Sequence, residues 1–268
     1  MKQCIDNPND VDWSGFWAEK LATKKDKDWD KAAPGFYKRT RKEDYQIALF
    51  DKLILDENDT VLDVGCGEGS VTIPIAKRVK KVIGLDSSPK MLEYLEKRAN
   101  ENDISNIETV LQPIEEISYE DIGDVDVVVC SRSLNGIIPI EEVLFELNRI
   151  ANKYVFITIF GPENKKIEKD FDRELGIKTE DFPDYNYLFN ILFNMGIYAN
   201  VERFDLNNYR EYESIEEAMD NGKFRLDLYS DEEKELLRDY LERILTFEDG
   251  EYFNVKDKAD WVMVWWKK

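Results

Sequence analysis

Thr60-Val61-Leu62-Asp63-Val64-Gly65-Cys66-Gly67-Glu68-Gly69-Ser70 joins two kinds of pattern. Its first five residues are short, β-branched and closed by glycine, which reads as a buried strand. Beyond the glycines, Val71, Ile75, Ala76 and Val79 recur at helical spacing. Pro74 is tolerable only in a first turn, so the helix is predicted to start near Thr72 or Ile73. A glycine-rich turn between strand and helix lets a ligand approach backbone that any Cβ would shield. Two ligand classes use such a turn. The dinucleotide fingerprint G-x-G-x-x-G would place its third glycine where Ser70 stands, whereas the glycines here are 65, 67 and 69. Asp63, inside the strand, would oppose a pyrophosphate and attract a ligand carrying a free ammonium group.

The alternation of strand and helix continues outward from this turn. Lys81 to Asp86 reads as a second strand, followed by Ser88 as N-cap and Pro89 at the first helical position. Leu92, Leu95 and Ala99 then supply an inner helix face. Ile107 to Leu111 is a third strand and Val125 to Cys130 a fourth, apolar except for Asp126. Pro139 opens a helix with Ile140, Val143, Leu144, Leu147 and Ile150 on one stripe, and Tyr154 to Phe160 is a fifth strand. Such alternation implies a doubly wound α/β fold, with helices on both faces of a mostly parallel sheet. Further on, Tyr185 to Met195 is predicted helical and Ala199 to Leu206 a sixth strand. Residues 214–246 read as a helical insertion, because Ser214-Ile215-Glu216-Glu217 and Ser230-Asp231-Glu232-Glu233 both match the capping box. Leu236, Leu237, Tyr240, Leu241, Ile244 and Leu245 are expected to share the inner face of its second helix. Trp261 to Trp266 is too apolar for a solvated tail. It is predicted to be a seventh strand, inserted antiparallel beside the sixth.

With Asp63, the alternating glycines and Asp86 in place, the sequence resembles the class I S-adenosylmethionine-dependent methyltransferases. Asp63-Val64-Gly65-Cys66-Gly67-Glu68-Gly69 is similar to that family's D-x-G-x-G-x-G turn. The likeness covers residues 45–160 and, by strand order alone, 199–206 and 260–267. It implies S-adenosylmethionine as cofactor, with Asp63, Gly65, Cys66, Gly67 and Gly69 around its methionine part. Asp86 would accept hydrogen bonds from both ribose hydroxyls, a task suited to two carboxylate oxygens. Taken alone, Asp86 reads equally as an acid at a helix N-terminus. Ser87 would lie beside the adenine. Many members carry an acid after the third strand, whereas this chain has Gln112-Pro113-Ile114. There the Gln112 amide and the Ile114 N–H are the candidate adenine contacts. Ser131 is a candidate cofactor contact, and Arg132 and Asn135 are candidate acceptor contacts, with local loop bonding as the open alternative. Tyr45, Tyr185 and Tyr187 are the pocket candidates. Cys66 reads as a small buried residue of the turn rather than a nucleophile.

Composition bounds the chemistry. The 268 residues include no histidine, which excludes Ser-His-Asp and Cys-His nucleophiles, an imidazole base and histidine-ligated metals. Cys4, Cys66 and Cys130 are too few and too scattered for a metal cluster or a disulfide framework, and read as thiols of a reducing cytoplasm. No catalytic residue is assigned, since the sulfonium is already an excellent methyl donor. The formal net charge of −20 disfavours nucleic acid as the main ligand; a small-molecule acceptor is expected, with a non-catalytic cofactor- or partner-binding protein of the same fold, or a protein- or RNA-modifying methyltransferase, as the alternatives. Half of that charge falls in residues 211–251, with fifteen acids against five bases. Lys38, Arg39, Arg41 and Lys42 bunch together in an otherwise balanced N-terminal segment. Both runs read as solvated faces, or the second as a basic rim for an anionic substrate. No membrane-length apolar run and no signal-peptide core are present, so a cytoplasmic location is expected. Residues 1–45 carry seven aromatic side chains among many charges and too few aliphatic ones for a core of their own. They are expected to form a helical cover over residues 46–268, or alternatively a patch on the outer helices. Residues 161–195 and the insertion at 211–248 are expected to join that cover.

Overall fold

The computed structural model describes residues 11–24, 27–38, 44–177, 182–206, 209–221, 224, 226–258 and 260–268. Cys4, Arg39, Arg41 and Lys42 lie outside the described residues. The chain divides into two compact units, one of residues 1–161, 182–204 and 261–268, the other of residues 162–181 and 205–260.

The first unit opens with three helices, α1 (Trp13–Leu21), α2 (Trp29–Lys38) and α3 (Asp44–Lys52). An alternating series follows: β1 (Thr60–Val64), α4 (Thr72–Ala76), β2 (Lys81–Asp86), α5 (Pro89–Glu101), β3 (Ile107–Leu111), α6 (Tyr119–Ile122), β4 (Val125–Ser131), α7 (Ile140–Ile150) and β5 (Ala151–Phe160). The second unit then contributes α8 (Lys166–Glu174), before the first resumes with α9 (Tyr185–Asn194) and β6 (Asn200–Arg203). In the second unit come β7 (Tyr209–Tyr212), α10 (Ile215–Asn221), α11 (Asp231–Ile244), β8 (Thr246–Glu248) and β9 (Glu251–Lys258), and the chain returns as β10 (Trp261–Lys267).

Seven strands make one sheet in the order β3-β2-β1-β4-β5-β10-β6. Strands β1 to β5 pair in parallel, and β10 is antiparallel to both β5 and β6. The antiparallel seventh strand next to the sixth, expected from the apolar Trp261–Trp266 run, is therefore present. Side chains alternate across the strands. Leu62, Val64, Val128, Cys130, Val155 and Ile157 meet Leu144 and Leu147 of α7 and Leu188 and Ile191 of α9 in the main core. Gly84, Asp63, Ser131 and Thr158 fall on the opposite face. There Leu95 of α5 packs so closely on Gly84 that a Cβ would lie 3.1 Å from it.

The N-terminal helices are part of this body. Trp17 and Leu21 of α1 are buried in the main core, and the Trp17 indole Nε1 donates to the Ile137 carbonyl at 2.6 Å. Helix α2 lies on α5: Asp30 accepts from Ser88 Oγ at 2.5 Å and from the Lys90 N–H at 3.1 Å, and Tyr37 stacks on Tyr94.

The second unit has its own core, built from Ile167 and Phe171 of α8, Tyr212, Ile215, Ala218, Tyr229 and the α11 face of Leu237, Tyr240 and Leu241. The Ser230 capping box is complete. At Ser214 only half of it forms, because Glu217 accepts from the Glu213 N–H instead. Leu236 does not join the α11 inner face; it is 52% exposed. The insertion is also more than helical. Strands β7, β9 and β8 pair antiparallel in a sheet of their own, which charge-rich runs such as Glu251 to Lys258 do not announce by hydrophobic alternation.

Candidate active site

The carboxyl ends of β1, β2, β4 and β5 bring the candidate residues together. The turn after β1 is fixed to the neighbouring strand by the Gly65 and Cys66 N–H groups, which donate to the Leu85 carbonyl at 2.7 and 3.0 Å. All three glycines have left-handed backbone, φ +71° at Gly65, +54° at Gly67 and +88° at Gly69, where any other residue is strained. Their surroundings differ. A Cβ at Gly65 would strike the Ser133 Cβ at 2.5 Å and one at Gly69 the Leu95 Cδ1 at 2.4 Å, so those two glycines serve close packing. At Gly67 the nearest atom is the Met91 sulfur at 3.9 Å. Gly67 alone presents open backbone to a ligand.

Asp63 is 1% exposed and accepts from Thr72 Oγ1 at 2.7 Å. Burial pushes its carboxyl up to about 7, against the Thr72 hydrogen bond and with help from the Asp86 and Glu68 charges. A buried carboxyl with one donor is a ready partner for an ammonium group. Asp86 accepts from the Gly67 N–H and the Ser88 N–H, both at 2.9 Å. Partial burial raises its pKa against these bonds. A carboxylate offers about four acceptor positions, so capacity remains for ligand hydroxyls. Ser87 is exposed next to it. Cys66 is buried and its thiol is pushed well up by burial, which makes it inert.

The other candidates divide. Gln112 turns its amide Nε2 back onto the Glu116 carbonyl at 2.7 Å and Asp121 at 3.3 Å, so its donors serve the local turn. Ile114 starts a one-turn 3-10 helix, where N–H groups have no intrahelical acceptor, and its side chain packs against Gly65. Ser131 ends β4 and pairs through its hydroxyl with the Tyr45 hydroxyl at 2.7 Å. Tyr45 is 1% exposed, also bonds Thr158 Oγ1 at 2.5 Å, and packs its ring on Phe204 and Trp261. Burial raises its phenol further above the ordinary value, so it stays protonated at neutral pH. Arg132 lies over the Tyr45 ring at 4.1 Å. Asn135 is occupied at both ends of its amide, donating to the Arg132 carbonyl at 3.3 Å and accepting from the Phe160 N–H at 3.1 Å. Tyr185 and Tyr187 pack instead against the main core on the α9 side, Tyr187 edge-on to Trp13. The structure does not bring them to Tyr45.

Sequence reading passed over Ser133, Thr72 and Thr158. The Ser133 hydroxyl is buried beside Gly65 without a hydrogen-bond partner, a cost that a ligand atom at the turn would relieve. No sequence signal marks it, since its neighbour Gly65 is distant along the chain. The buried Asp63 carboxyl, the open Gly67 backbone, the spare acceptors of Asp86 and this orphaned hydroxyl together fit S-adenosylmethionine.

Comparison with known proteins agrees. Residues 55–186 match the family model of a methyltransferase domain. An uncharacterized protein of Haemophilus influenzae is 27% identical over 83% of this chain and 81% of its own length. The 23S rRNA (uracil(1939)-C(5))-methyltransferase RlmD of Aliivibrio fischeri is 37% identical, but over only 26% of this chain and 16% of that protein. The crystal structure of a SAM-dependent methyltransferase from Aquifex aeolicus shares the fold, with a TM-score of 0.50, 20% identity, and coverage of 68% of this chain and 94% of that one. The strand order, the turn between β1 and α4 and the matching domain model converge: the chain belongs to the class I S-adenosylmethionine-dependent methyltransferases.

Proposed function

We propose that this methyltransferase modifies a small molecule, bound at the carboxyl ends of β4 and β5 beside a cofactor held by Asp63, Gly67, Asp86 and Ser133. The observation that carries the cofactor placement is the buried Asp63 carboxyl next to the open Gly67 backbone. The cofactor supplies an activated methyl group. Asp63 would hold its ammonium and Asp86 its ribose, and a cofactor so fixed would meet an incoming nucleophile at a lower entropic cost. Tyr45, protonated and fully buried, shapes the acceptor side and removes no proton. Of the N-terminal helices, α3 acts as the cover: it sets Tyr45 over the strand ends and ties Gln46 Nε2 to the Ser70 carbonyl at 3.2 Å. Closure of this kind excludes water from the transfer.

The charge of −20 supports a small acceptor over RNA, because a polyanion would meet repulsion without counterion release to offset it. The match to RlmD spans only 26% of this chain and 16% of that protein, too little to carry its substrate over. Incubation with methyl-labelled S-adenosylmethionine and size-fractionated cell extract tests this. Label is expected in the low-molecular-mass fraction, and label confined to RNA or protein would overturn it.

A further inference from the structure

Three hydroxyls on one face of the sheet form a chain whose protons can be counted. Tyr45 of α3 brings its phenol oxygen to 2.7 Å from Ser131 Oγ, at the end of β4, and to 2.5 Å from Thr158 Oγ1 of β5. Ser131 and Thr158 are partners across the parallel pair of strands. Thr158 Oγ1 also accepts from the Arg132 backbone N–H at 2.9 Å. Tyr45 and Thr158 are each 1% exposed, whereas Ser131 is half-buried.

Each hydroxyl has one proton to give and two lone pairs, and buried donors are nearly always used. If Ser131 and Thr158 both donated to Tyr45, the phenol proton would be stranded. If Tyr45 donated to Thr158 and accepted from Ser131, Thr158 Oγ1 would accept twice, and among the described residues nothing takes its own proton. One arrangement spends every buried proton: Thr158 donates to Tyr45, and Tyr45 donates to Ser131. The chain then runs one way, from the Arg132 N–H through Thr158 and Tyr45 to Ser131. Its last proton, on the half-buried serine at the strand end, is left for a ligand.

Position says which ligand atom takes it. Strand β1 lies between β2 and β4. With the ribose at Asp86 of β2 and the ammonium at Asp63 of β1, the methionine part runs toward β4. Asp63 is in register with Val129, and Ser131, on the same face, stands two residues, about 7 Å, further toward the strand ends. The methionine carboxylate shares a carbon with the ammonium and accepts only, so it needs a donor there. We propose that Ser131 donates to the carboxylate of the cofactor's methionine part, and that Tyr45 is the positioning residue that fixes the direction of this bond. The proposal rests on the cofactor placement above and extends it to β4.

Calorimetry on the full chain with two ligands tests it: S-adenosylhomocysteine, and 5′-methylthioadenosine, which keeps the nucleoside and lacks the amino-acid end. Ser131→Ala should weaken S-adenosylhomocysteine about tenfold, the scale of a hydrogen bond to a charged group, and change 5′-methylthioadenosine less than twofold. Ser131→Thr, which keeps the hydroxyl, should restore most of the loss. Tyr45→Phe, which keeps the ring, should weaken S-adenosylhomocysteine about threefold and again spare the shorter ligand. Equal loss for both ligands in Ser131→Ala would make the serine structural and overturn the proposal, as would unchanged S-adenosylhomocysteine affinity. Tyr45→Phe binding both ligands like the parent would remove Tyr45 from the positioning role. A parent protein that binds neither ligand, or both alike, would instead refute the cofactor placement.

Discussion

The turn after β1 and the loop after β4 are neighbours that solve one problem by different means. Each reverses the chain at the carboxyl end of a central strand, and each needs left-handed backbone, at Gly65, Gly67 and Gly69 in the turn and at Arg132 in the loop. Glycine adopts that geometry without steric cost, whereas an L-residue pays about 1–2 kcal/mol. In the loop, Thr158 from the neighbouring strand and Asn135 from within the loop compensate through hydrogen bonds. A turn made of glycine holds its shape by what it lacks. A loop made of arginine holds it by what surrounds it.

That contrast predicts where the two regions break. The largest effect should come from Trp17, whose indole supports the loop at Ile137. Trp17→Ala is expected to cost about 3–5 kcal/mol, the range for emptying a buried aromatic site. For the same reason a chain starting at Tyr45 should fail to fold, rather than fold without turnover. In the turn, Gly69→Ala should cost about 2–5 kcal/mol, combining left-handed strain with overpacking against Leu95. Gly67→Ala, facing open space, should cost only the strain yet lose cofactor affinity. Equal destabilisation of the two glycine variants in urea unfolding would show that Gly67 is also a packing position.

The same contrast explains how much the sequence could tell. Asp63, the alternating glycines, Asp86 and the succession of strands and helices along the chain were legible because each is dictated locally, by steric need or by hydrophobic period. Tyr185 and Tyr187 pack against the main core on the α9 side, because residue identity does not say which face of the sheet a helix covers. Ser133, Thr158 and the supported Arg132 could not be read, since their partners are remote in sequence and their letters ordinary. Leu236 was mistaken for an inner residue because apolar identity alone does not fix the phase of a helix.

Asp63 and Asp86 sharpen the comparison from the ligand side. With its carboxyl at about 7, Asp63 in the folded chain keeps a proton that the unfolded chain releases near 4. Its contribution to stability is therefore fully present below about pH 4 and is lost as pH rises to about 7, by an amount of order 3–4 kcal/mol. Burial sets this value, with the Thr72 hydrogen bond lowering it and the Asp86 and Glu68 charges raising it. Asp63→Asn should flatten that part of the stability profile of the ligand-free protein. An ammonium ligand reverses the preference, so affinity for S-adenosylhomocysteine should rise between pH 6 and 8 in the parent and not in Asp63→Asn. An identical pH slope in both proteins would contradict the role. Asp86→Ala should weaken S-adenosylhomocysteine by about 1.5–3 kcal/mol, as for hydrogen bonds to a charged group, and unchanged affinity would remove Asp86 from the ribose site.

The smallest effect is expected at Asp30, and it separates the turn from the loop most cleanly. Asp30 of α2 holds Ser88 Oγ and the Lys90 N–H, and these bonds lower its pKa. Ser88 in turn donates its N–H to Asp86, which also holds the Gly67 N–H. A chain of three contacts thus runs from the N-terminal helices to the open position of the turn, with no member in the loop after β4. Asp30 is exposed, so Asp30→Asn should leave the unfolding midpoint nearly unchanged. Asp86 would nevertheless be less firmly set, and S-adenosylhomocysteine affinity should fall two- to threefold. Unchanged S-adenosylhomocysteine affinity in Asp30→Asn would mean that α2 does not support the turn.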